Sequence, residues 1–184
     1  MSLLTVSTFL ALLALLAAAG AIGVVLLALA GRWSESAADA YRSVRVTVSP
    51  IGLWLAFAVA GTSTAGSLYF SEIGHLVPCT LCWYQRIAMY PLALIIGIAA
   101  WRDDAGVSRY AIPLASIGAV VSAYHVALQR LPGLPSGACS LEAPCSAIEL
   151  ERFGFVTIPV MALIGFVSII VVLSLLTARR SQTP

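Results

Sequence analysis

The chain has 184 residues, of which 60% are hydrophobic and only 10% are charged, and its formal net charge is +2. Soluble domains carry about a quarter charged residues, so this composition excludes a soluble globular protein and indicates a protein solvated by lipid. Membrane lipid is therefore the expected surrounding, and no nucleic-acid partner is expected.

Five segments are long and apolar enough to cross a bilayer, for which about 20 residues are needed. They are residues 3–30, 51–70, 82–101, 110–128 and 153–176. We predict an all-α integral membrane protein with a four-helix transmembrane bundle as its core and one extra N-terminal transmembrane helix. The predicted divisions are residues 1–49 for that helix and a cytoplasmic connector, 50–177 for the core, and 178–184 for a short cytoplasmic tail.

The arginines predict the orientation of these segments, because short cytoplasmic loops collect positive charge. Seven of them fall in alternate connections, namely Arg32, Arg42, Arg45, Arg102, Arg109, Arg179 and Arg180. Placing these in the cytoplasm puts the N-terminus outside and the C-terminus inside. The outer loops, 71–81 and 129–152, together with the first residue of the third segment, then hold all four cysteines. Arg130 and Arg152 run against the rule. The expected location is the inner, or plasma, membrane of a bacterium.

A cleaved signal peptide is an alternative for the first segment, because Ala28 and Ala30 fit a small-residue cleavage pattern. However, the segment has no positive n-region, and its apolar run exceeds the usual length of roughly 7 to 15 residues. Cleavage would also leave the arginines of the connector outside. We therefore expect the helix to be retained.

The polar connector, residues 33–50, is expected to be structural. Ser34 is suited to cap a short helix, and Asp39 can pair with Arg42 about one turn later.

A Cys-x-x-Cys pair, Cys79 and Cys82, opens the third segment. Pro78 suits the first turn of a helix and restricts Val77 to extended geometry, so the helix is expected to begin near Cys79. The unpaired amides and the helix dipole at that end favour a thiolate, which is the nucleophilic form in disulfide exchange. The pair is therefore predicted to be reactive.

Arg86 is the ionisable residue that lies within this segment. Cys82, Gln85 and Arg86 share one helix face, with Arg86 about 6 Å deeper than Cys82. Ionisable groups inside a span normally face a partner or a polar cavity, which favours a functional role. The alternative is an arginine that extends to the outer headgroups.

The second pair, Cys139 and Cys145, lies in a segment rich in Gly and Pro, which predicts a mobile loop. A disulfide between them would close a small ring and add little stability, which favours an exchange role over a structural one. Beyond it, Ser146 and Glu149 match a capping box and predict a short helix on the membrane surface.

Two other interpretations of the cysteines remain open. Zinc can bind two cysteine pairs, but a second pair in a Gly/Pro loop is unusual for such a site, so no metal is expected. A static cross-link in a membrane scaffold is the other interpretation, and it leaves Arg86 unexplained. Covalent haem is disfavoured because Trp83 stands where the haem motif needs histidine.

The run Cys79-x-x-Cys82-Trp83-Tyr84-Gln85-Arg86 at the start of a membrane helix, followed by a second outer pair, resembles the disulfide bond formation protein B family. These are quinone-dependent membrane thiol oxidases, which help to keep the bacterial periplasm oxidising. The resemblance covers residues 51–176. It implies an enzyme, a thiol:disulfide oxidoreductase that generates protein disulfides.

The resemblance also implies a role for each cysteine. Cys139 is the point attacked by a reduced extracytoplasmic partner, a DsbA-like protein of thioredoxin fold, and Cys145 completes that exchangeable disulfide. Electrons then pass to Cys79 and Cys82, and from them to the quinone pool.

The implied cofactor is a quinone, either ubiquinone or menaquinone. Cys82 is expected beside its ring, with Gln85 and Arg86 at the same site and Arg86 stabilising negative charge. His125, near the outer end of the fourth segment, is similar in position to a family histidine near the quinone. A histidine hydrogen-bonded between helices is the alternative.

Two features depart from the family pattern. The family core has four spans, so segment 3–30 is an addition of unknown purpose. The short spacing of Cys139 and Cys145 is more similar to Gram-positive members. The second candidate is a vitamin K epoxide reductase-type enzyme, but there the outer pair precedes the membrane pair, whereas here Cys79 and Cys82 come first.

Overall fold

Six α-helices account for most of the structure, a computed structural model that describes residues 2–131, 133, 139 and 143–180, without the side chains of 178–180. They are α1 (Leu3–Ala30), α2 (Glu35–Val48), α3 (Gly52–Leu68), α4 (Thr80–Trp101), α5 (Ser108–Arg130) and α6 (Ile158–Arg180). A π-helical turn, Tyr69–Ile73, continues α3, and a 3-10 turn, Ala105–Val107, precedes α5. The predicted all-α fold is confirmed.

Five of the helices are long and apolar enough to span a membrane. The spans are Leu3–Ala30, Gly52–Ile73, Thr80–Trp101, Ala105–Arg130 and Ile158–Thr177. Only 6% of the α1 span is buried in the protein, against 28% to 39% for the other four, so α1 lies at the edge of a four-helix bundle. The prediction of a four-helix core with one extra N-terminal helix is confirmed.

Helix α2 is the polar connector that the sequence predicts. Ser34 is its N-cap residue, but the Ser34 hydroxyl bonds the Ser36 hydroxyl (2.8 Å) and no backbone amide. Arg42 forms the predicted ion pair with Asp39, and both side chains are more than two-thirds exposed. Because exposed pairs add little stability, the pair does not explain why this helix forms.

The core of the bundle is closely packed where α5 meets α6. Phe166 and Ile169 of α6 and Leu92 of α4 are completely buried. A β-carbon placed at Gly118 of α5 would lie 2.3 Å from the Phe166 ring. Carbon atoms in contact need about 3.5 Å, so the close approach of these helices depends on a glycine at this position.

Helix α1 is fixed to the bundle near the end where the cysteines lie, which we call the cysteine end. Ser7 is completely buried there and accepts a 2.9 Å hydrogen bond from Arg152 Nε. Leu10 contacts α3 at Gly66, where a β-carbon would come within 2.8 Å of Leu10 Cδ1. Further along, α1 packs against α6 and a cavity separates it from α3.

The short helix predicted from the capping box of Ser146 and Glu149 does not form. The backbone makes a turn in which Ala147 N–H donates to Pro144 O (3.0 Å), and no helix occurs between there and Leu150. The prediction is wrong because a capping box is a local signal. Here the burial of Leu150 and the pairing of the residues after it outweigh that signal.

A small antiparallel hairpin follows. Its strands are β1 (Glu151–Arg152) and β2 (Val156–Thr157). Arg130, at the end of α5, donates from Nη2 to Glu151 Oε1 (2.7 Å) and to Phe155 O (3.2 Å). The hairpin therefore provides hydrogen-bond partners for Arg130, which lies in a predicted outer loop although arginines usually collect in cytoplasmic loops.

Candidate functional site

The four cysteines lie together at the cysteine end. Cys79 and Cys145 are 7% and 1% exposed and belong to one small apolar cluster, against which Cys82 and Cys139 pack. Cys139 and Cys145 form a disulfide, whereas Cys79 and Cys82 are free thiols. Disulfide exchange requires sulfurs that can approach one another, and the fold brings both pairs into one cluster.

Cys79 caps the helix that carries Cys82. Helix α4 begins at Thr80, which agrees with the predicted start near Cys79, and Cys79 is its N-cap residue in extended geometry. Cys79 Sγ accepts a hydrogen bond from the backbone N–H of Cys82 (3.3 Å) and lies 3.0 Å from Cys82 Sγ. The two sulfurs therefore face each other across the first turn of α4.

Three polar groups contact the Cys79 sulfur. The contact between the sulfurs allows either thiol to donate, but the Cys82 amide and His125 Nε2 (3.7 Å) also lie against Cys79 Sγ. We therefore assign the negative charge to Cys79 and the proton to Cys82. The hydrogen bond from the Cys82 side chain is the main cause that lowers the pKa of Cys79 to about 4, while burial opposes it.

His125 of α5 joins the two cysteine pairs, and its side chain is only 2% exposed. Nε2 lies 3.1 Å from the carbonyl oxygen of Cys145, and since a carbonyl only accepts, Nε2 carries the proton. Nδ1 then accepts from the Gln85 amide at 3.0 Å. The protonated Nε2 is thus directed at the Cys145 carbonyl and the Cys79 sulfur.

The outer disulfide joins Cys139 to the buried Cys145. Most of the predicted mobile loop, residues 132, 134–138 and 140–142, lies outside the described residues. In the described part, Cys139 is partly exposed while Cys145 is 1% exposed. Cys139 is therefore the more accessible sulfur of this pair.

Arg86 turns from α4 towards α3. Its Nη2 donates to Ser67 O (3.0 Å), and its guanidinium lies over the Trp83 ring, 5.2 Å from the centroid. Among the residues that the structure describes, no carboxylate is within ion-pairing distance of Arg86. Within the described part of the chain, this positive charge has no carboxylate partner.

A large cavity of about 620 Å³ lies between α1, α3, α6 and the first turns of α4. Cys82, Gln85 and Arg86 line its polar end, and mostly aliphatic walls continue to Val48 and Leu175 at the opposite end of the bundle. Small-molecule sites are commonly apolar pockets of roughly 300 to 1,000 Å³ with a few converging polar groups. The cavity has the size and lining of such a site.

A second cavity, of about 30 Å³, lies on the other side of Cys82 and has room for about one water molecule. Cys79, Cys82, His125 and Glu149 are among the residues that line it. Cys82 and Glu149 line both cavities, whereas Cys79 and His125 line only the smaller one. Cys82 is therefore the sulfur that stands between the cysteine cluster and the large cavity.

Glu149 is a carboxylate near the cysteines that the sequence analysis identified only as part of a capping box. Partial burial, followed by the charge on Cys79, raises the pKa of Glu149 above its ordinary value. This carboxylate therefore takes up a proton more readily than a fully solvated one.

Cys79, Cys82 and His125 also have the spacing of metal ligands. Their ligand atoms all lie within 4.8 Å of one another. Sulfur and nitrogen are ligands that zinc prefers. The second cysteine pair, which could have formed the other half of a zinc site, is joined in a disulfide and offers no thiolate.

Comparison with protein families favours thiol chemistry at this site. Residues 49–177 match the model of the family described as Disulfide bond formation protein DsbB. This range is more than half of the chain and includes all four cysteines. The chain belongs to the DsbB family. It is therefore a multi-pass membrane protein of disulfide bond formation, with thiol oxidoreductase activity.

Individual relatives agree with the DsbB family assignment. The chain is 48% identical over 132 residues to Disulfide bond formation protein C of Bacillus subtilis, which covers 71% of this chain and 95% of the relative. It is 44% identical over 115 residues to a Probable disulfide formation protein of Coxiella burnetii, covering 61% and 78%. No solved structure matches the chain.

The DsbB family match begins at residue 49, so α1 and α2 lie outside it. Helix α1 nevertheless contributes a wall of the large cavity, including Leu10, Ala17 and Gly20. The sequence alone indicated no purpose for α1. No sequence motif marks these residues, because they are ordinary apolar residues of a membrane helix.

Proposed function

We propose that this DsbB-family protein oxidises an extracytoplasmic, DsbA-like protein of thioredoxin fold and passes the electrons to a membrane quinone, ubiquinone or menaquinone. The position of Cys82 carries the proposal. Its sulfur lies 3.0 Å from Cys79 within the cysteine cluster, and Cys82 also lines the large cavity beside Arg86. One side chain thus joins the site of disulfide exchange to a site for a small molecule.

The first proposed step takes place at the outer disulfide. A thiolate of the partner attacks Cys139 Sγ, the more accessible sulfur, and Cys145 leaves as a thiolate. The second thiol of the partner then displaces Cys139. The partner departs with a disulfide, and Cys139 and Cys145 retain two electrons as thiols.

The second proposed step transfers these electrons inward. The reduced outer pair attacks the disulfide of an oxidised Cys79–Cys82 pair, and the outer disulfide re-forms. The clustering of Cys79 with Cys145 supports this approach. The N–H of His125 Nε2 is placed to stabilise the thiolate that forms on Cys79, so we assign His125 to the sulfurs.

The residues at the large cavity fit a quinone, which when bound accepts two electrons and two protons. Cys82 presents its side chain to the cavity, and Arg86 supplies a positive charge that no carboxylate in the described ranges pairs with. Gln85 lines the same end while its amide holds His125 in place. Aliphatic walls suit the apolar remainder of the molecule. Loss of two electrons from the inner pair re-forms the Cys79–Cys82 disulfide.

The proposal includes an orientation. The arginine distribution supports a topology with the cysteine end and the N-terminus outside the cytoplasm and the C-terminus inside, in the plasma membrane of a bacterium. Disulfide chemistry is favoured on that side, where the surroundings are oxidising.

The test is anaerobic quinone reduction by the purified protein with a reduced thioredoxin-fold dithiol, followed by quinone absorbance. Wild type is expected to consume ubiquinone or menaquinone, and Cys82→Ser is expected to abolish the reaction. Cys139→Ser is the companion variant. It should block turnover with the protein dithiol but retain quinone reduction with a small dithiol that can reduce Cys79–Cys82 directly.

A zinc site is a competing candidate, supported by the spacing of Cys79, Cys82 and His125. If wild type consumes neither quinone, and the reduced protein binds one equivalent of zinc that Cys82→Ser does not bind, the quinone proposal is wrong. Full quinone reduction by Cys82→Ser would equally refute the role given to that sulfur.

A further inference from the structure

Helix α1 presents one continuous face to the large cavity. The face includes Leu10, Leu13, Ala14, Ala17, Gly20 and Val24, which follow the three- and four-residue spacing of one helix side, and Leu16 and Ala21 border it. At 1.5 Å per residue, this wall is about 21 Å long. A ring system placed beside Cys82 would occupy only one end of such a groove.

The middle of this wall is open. Gly20 lines the cavity, and a β-carbon built there would have no atom within 4 Å. Ala14 and Ala17 keep the preceding turns small. On the same helix, Gly23 also has nothing within 4 Å of a built β-carbon, but it does not line the cavity. The two glycines thus have similar free space, but only Gly20 lines the cavity.

Arg86 and Glu149 are the charged residues among the described ones that line the groove, and both lie at its cysteine end. Hydroxyls of Thr62, Ser63 and Ser168 occur along the walls. Cys82, Gln85 and Arg86 stand at the cysteine end, whereas Val24, Val48 and Leu175 line the far end. A ligand that matches this distribution has one polar head and one long apolar chain. The family match begins at residue 49, so α1 is an addition to the matched core that lines one side of the groove.

We propose that α1 forms the wall of a groove for the isoprenoid tail of the quinone, and that Gly20 sets how much of the tail fits. This inference rests on the proposed quinone reduction and adds a specificity-determining helix to it. The ring lies at Cys82 and Arg86, and the tail extends between α1, α3 and α6. A lipid acyl chain is the competing occupant.

The test uses full-length protein in lipid nanodiscs and two probes with one ring: menaquinone with four isoprenoid units, and menadione, which has no tail. If the quinone-reduction assay shows that the protein reduces ubiquinone but not menaquinone, a ubiquinone with an isoprenoid tail and one without a tail replace these two probes. Binding is measured by quenching of tryptophan fluorescence, without turnover. The variant is Gly20→Phe, and the matched control is Gly23→Phe.

Gly20→Phe is expected to raise the Kd of the tailed quinone about tenfold, since displacing about two methylene groups of the tail from apolar surroundings weakens binding by that ratio. The Kd of menadione should change by less than about twofold. Gly23→Phe should leave both values unchanged. A second variant, Ala17→Leu, should also raise the Kd of the tailed quinone, but by less than Gly20→Phe does. Two variants are used so that misfolding of one of them does not decide the result.

A photolabel provides an independent measurement. A quinone with a diazirine at the tail end should label α1 in wild type, and excess tailed menaquinone should prevent the labelling. Labelling that menaquinone does not compete with, or an unchanged Kd in Gly20→Phe, would assign the groove to lipid and overturn the inference. Equal losses for both probes would also overturn it. If wild type binds neither probe, the proposed function itself has failed.

Discussion

The Cys79 sulfur contacts three polar groups: the Cys82 thiol, the Cys82 amide and the His125 imidazole. The sequence predicts part of this arrangement, because Pro78 and the Cys-x-x-Cys spacing place both sulfurs at a helix N-terminus. The sequence does not predict which groups the His125 imidazole contacts. Resemblance puts His125 near the quinone, whereas the structure places it against Cys79 and the Cys145 carbonyl. Only the packing of α5 against α4 determines that contact.

The charge on Cys79 leads to a pH prediction. Hydrogen bonds to a thiolate favour the charged form, so Cys79 should stay ionised across neutral pH and lose its charge as the pH falls through a pKa of about 4. In a reduced Cys139→Ser/Cys145→Ser protein, thiolate absorbance in the ultraviolet should follow that curve. Cys82→Ala removes the main donor and should move the midpoint upward. An unmoved midpoint would contradict the assignment, and Cys79→Ala provides the baseline.

Arg86 leads to a prediction about quinone use. Arg86→Ala should lower kcat/KM for quinone by at least about tenfold, because the positive charge at the polar end of the cavity is lost. Exchange of the outer disulfide with a protein dithiol should continue. The control is Arg109→Ala, an exposed arginine at the other end of the bundle. Unchanged quinone kinetics in Arg86→Ala would mean that this residue only anchors the helix in the membrane.

At the scale of elements, hydropathy predicted the five spanning helices well because each contains a long, predominantly apolar run. The start of α4 near Cys79 was also predicted, because Pro78 is a local sequence signal for the first turn of a helix. The segment after Cys145 was predicted wrongly as a helix. The hairpin that forms there binds Arg130, more than twenty residues earlier, and such a contact has no local sequence pattern.

The contact between α5 and α6 leads to a stability prediction. Gly118→Ala places a methyl group against the Phe166 ring and should lower the free energy of unfolding by about 1 to 3 kcal/mol. Thermal unfolding in detergent micelles would measure it. Gly61→Ala is the control, because its new methyl group would make an ordinary 3.9 Å contact with Phe57. Equal stability of the two variants would show that α5 can move away from α6 without cost.

At the scale of the whole molecule, composition and hydropathy were sufficient for the class of protein and the number of spans. They were not sufficient for the cavities, because these depend on how far α1 stands from α3. The carbonyl of Ser67, which binds Arg86, gave no sequence signal for the same reason: every residue has a carbonyl, and only the fold selects one.

The proposed orientation predicts the behaviour of fusions at the C-terminus. Green fluorescent protein placed there should fluoresce, because it would lie in the cytoplasm, and alkaline phosphatase placed there should be inactive. The same pair of reporters fused after residue 76 should give the opposite result. The reverse pattern at both sites would place the cysteine end in the cytoplasm and contradict the proposed disulfide chemistry.

Cys82 lines the large cavity and, through Cys79, belongs to the cysteine cluster. A single inner pair that alternates between two reaction partners does not need both of them at once. The kinetics should therefore be of the ping-pong type, with double-reciprocal plots of initial rate that stay parallel as the fixed quinone concentration is varied. Lines that intersect would instead require the dithiol protein and the quinone to be bound together before electrons move.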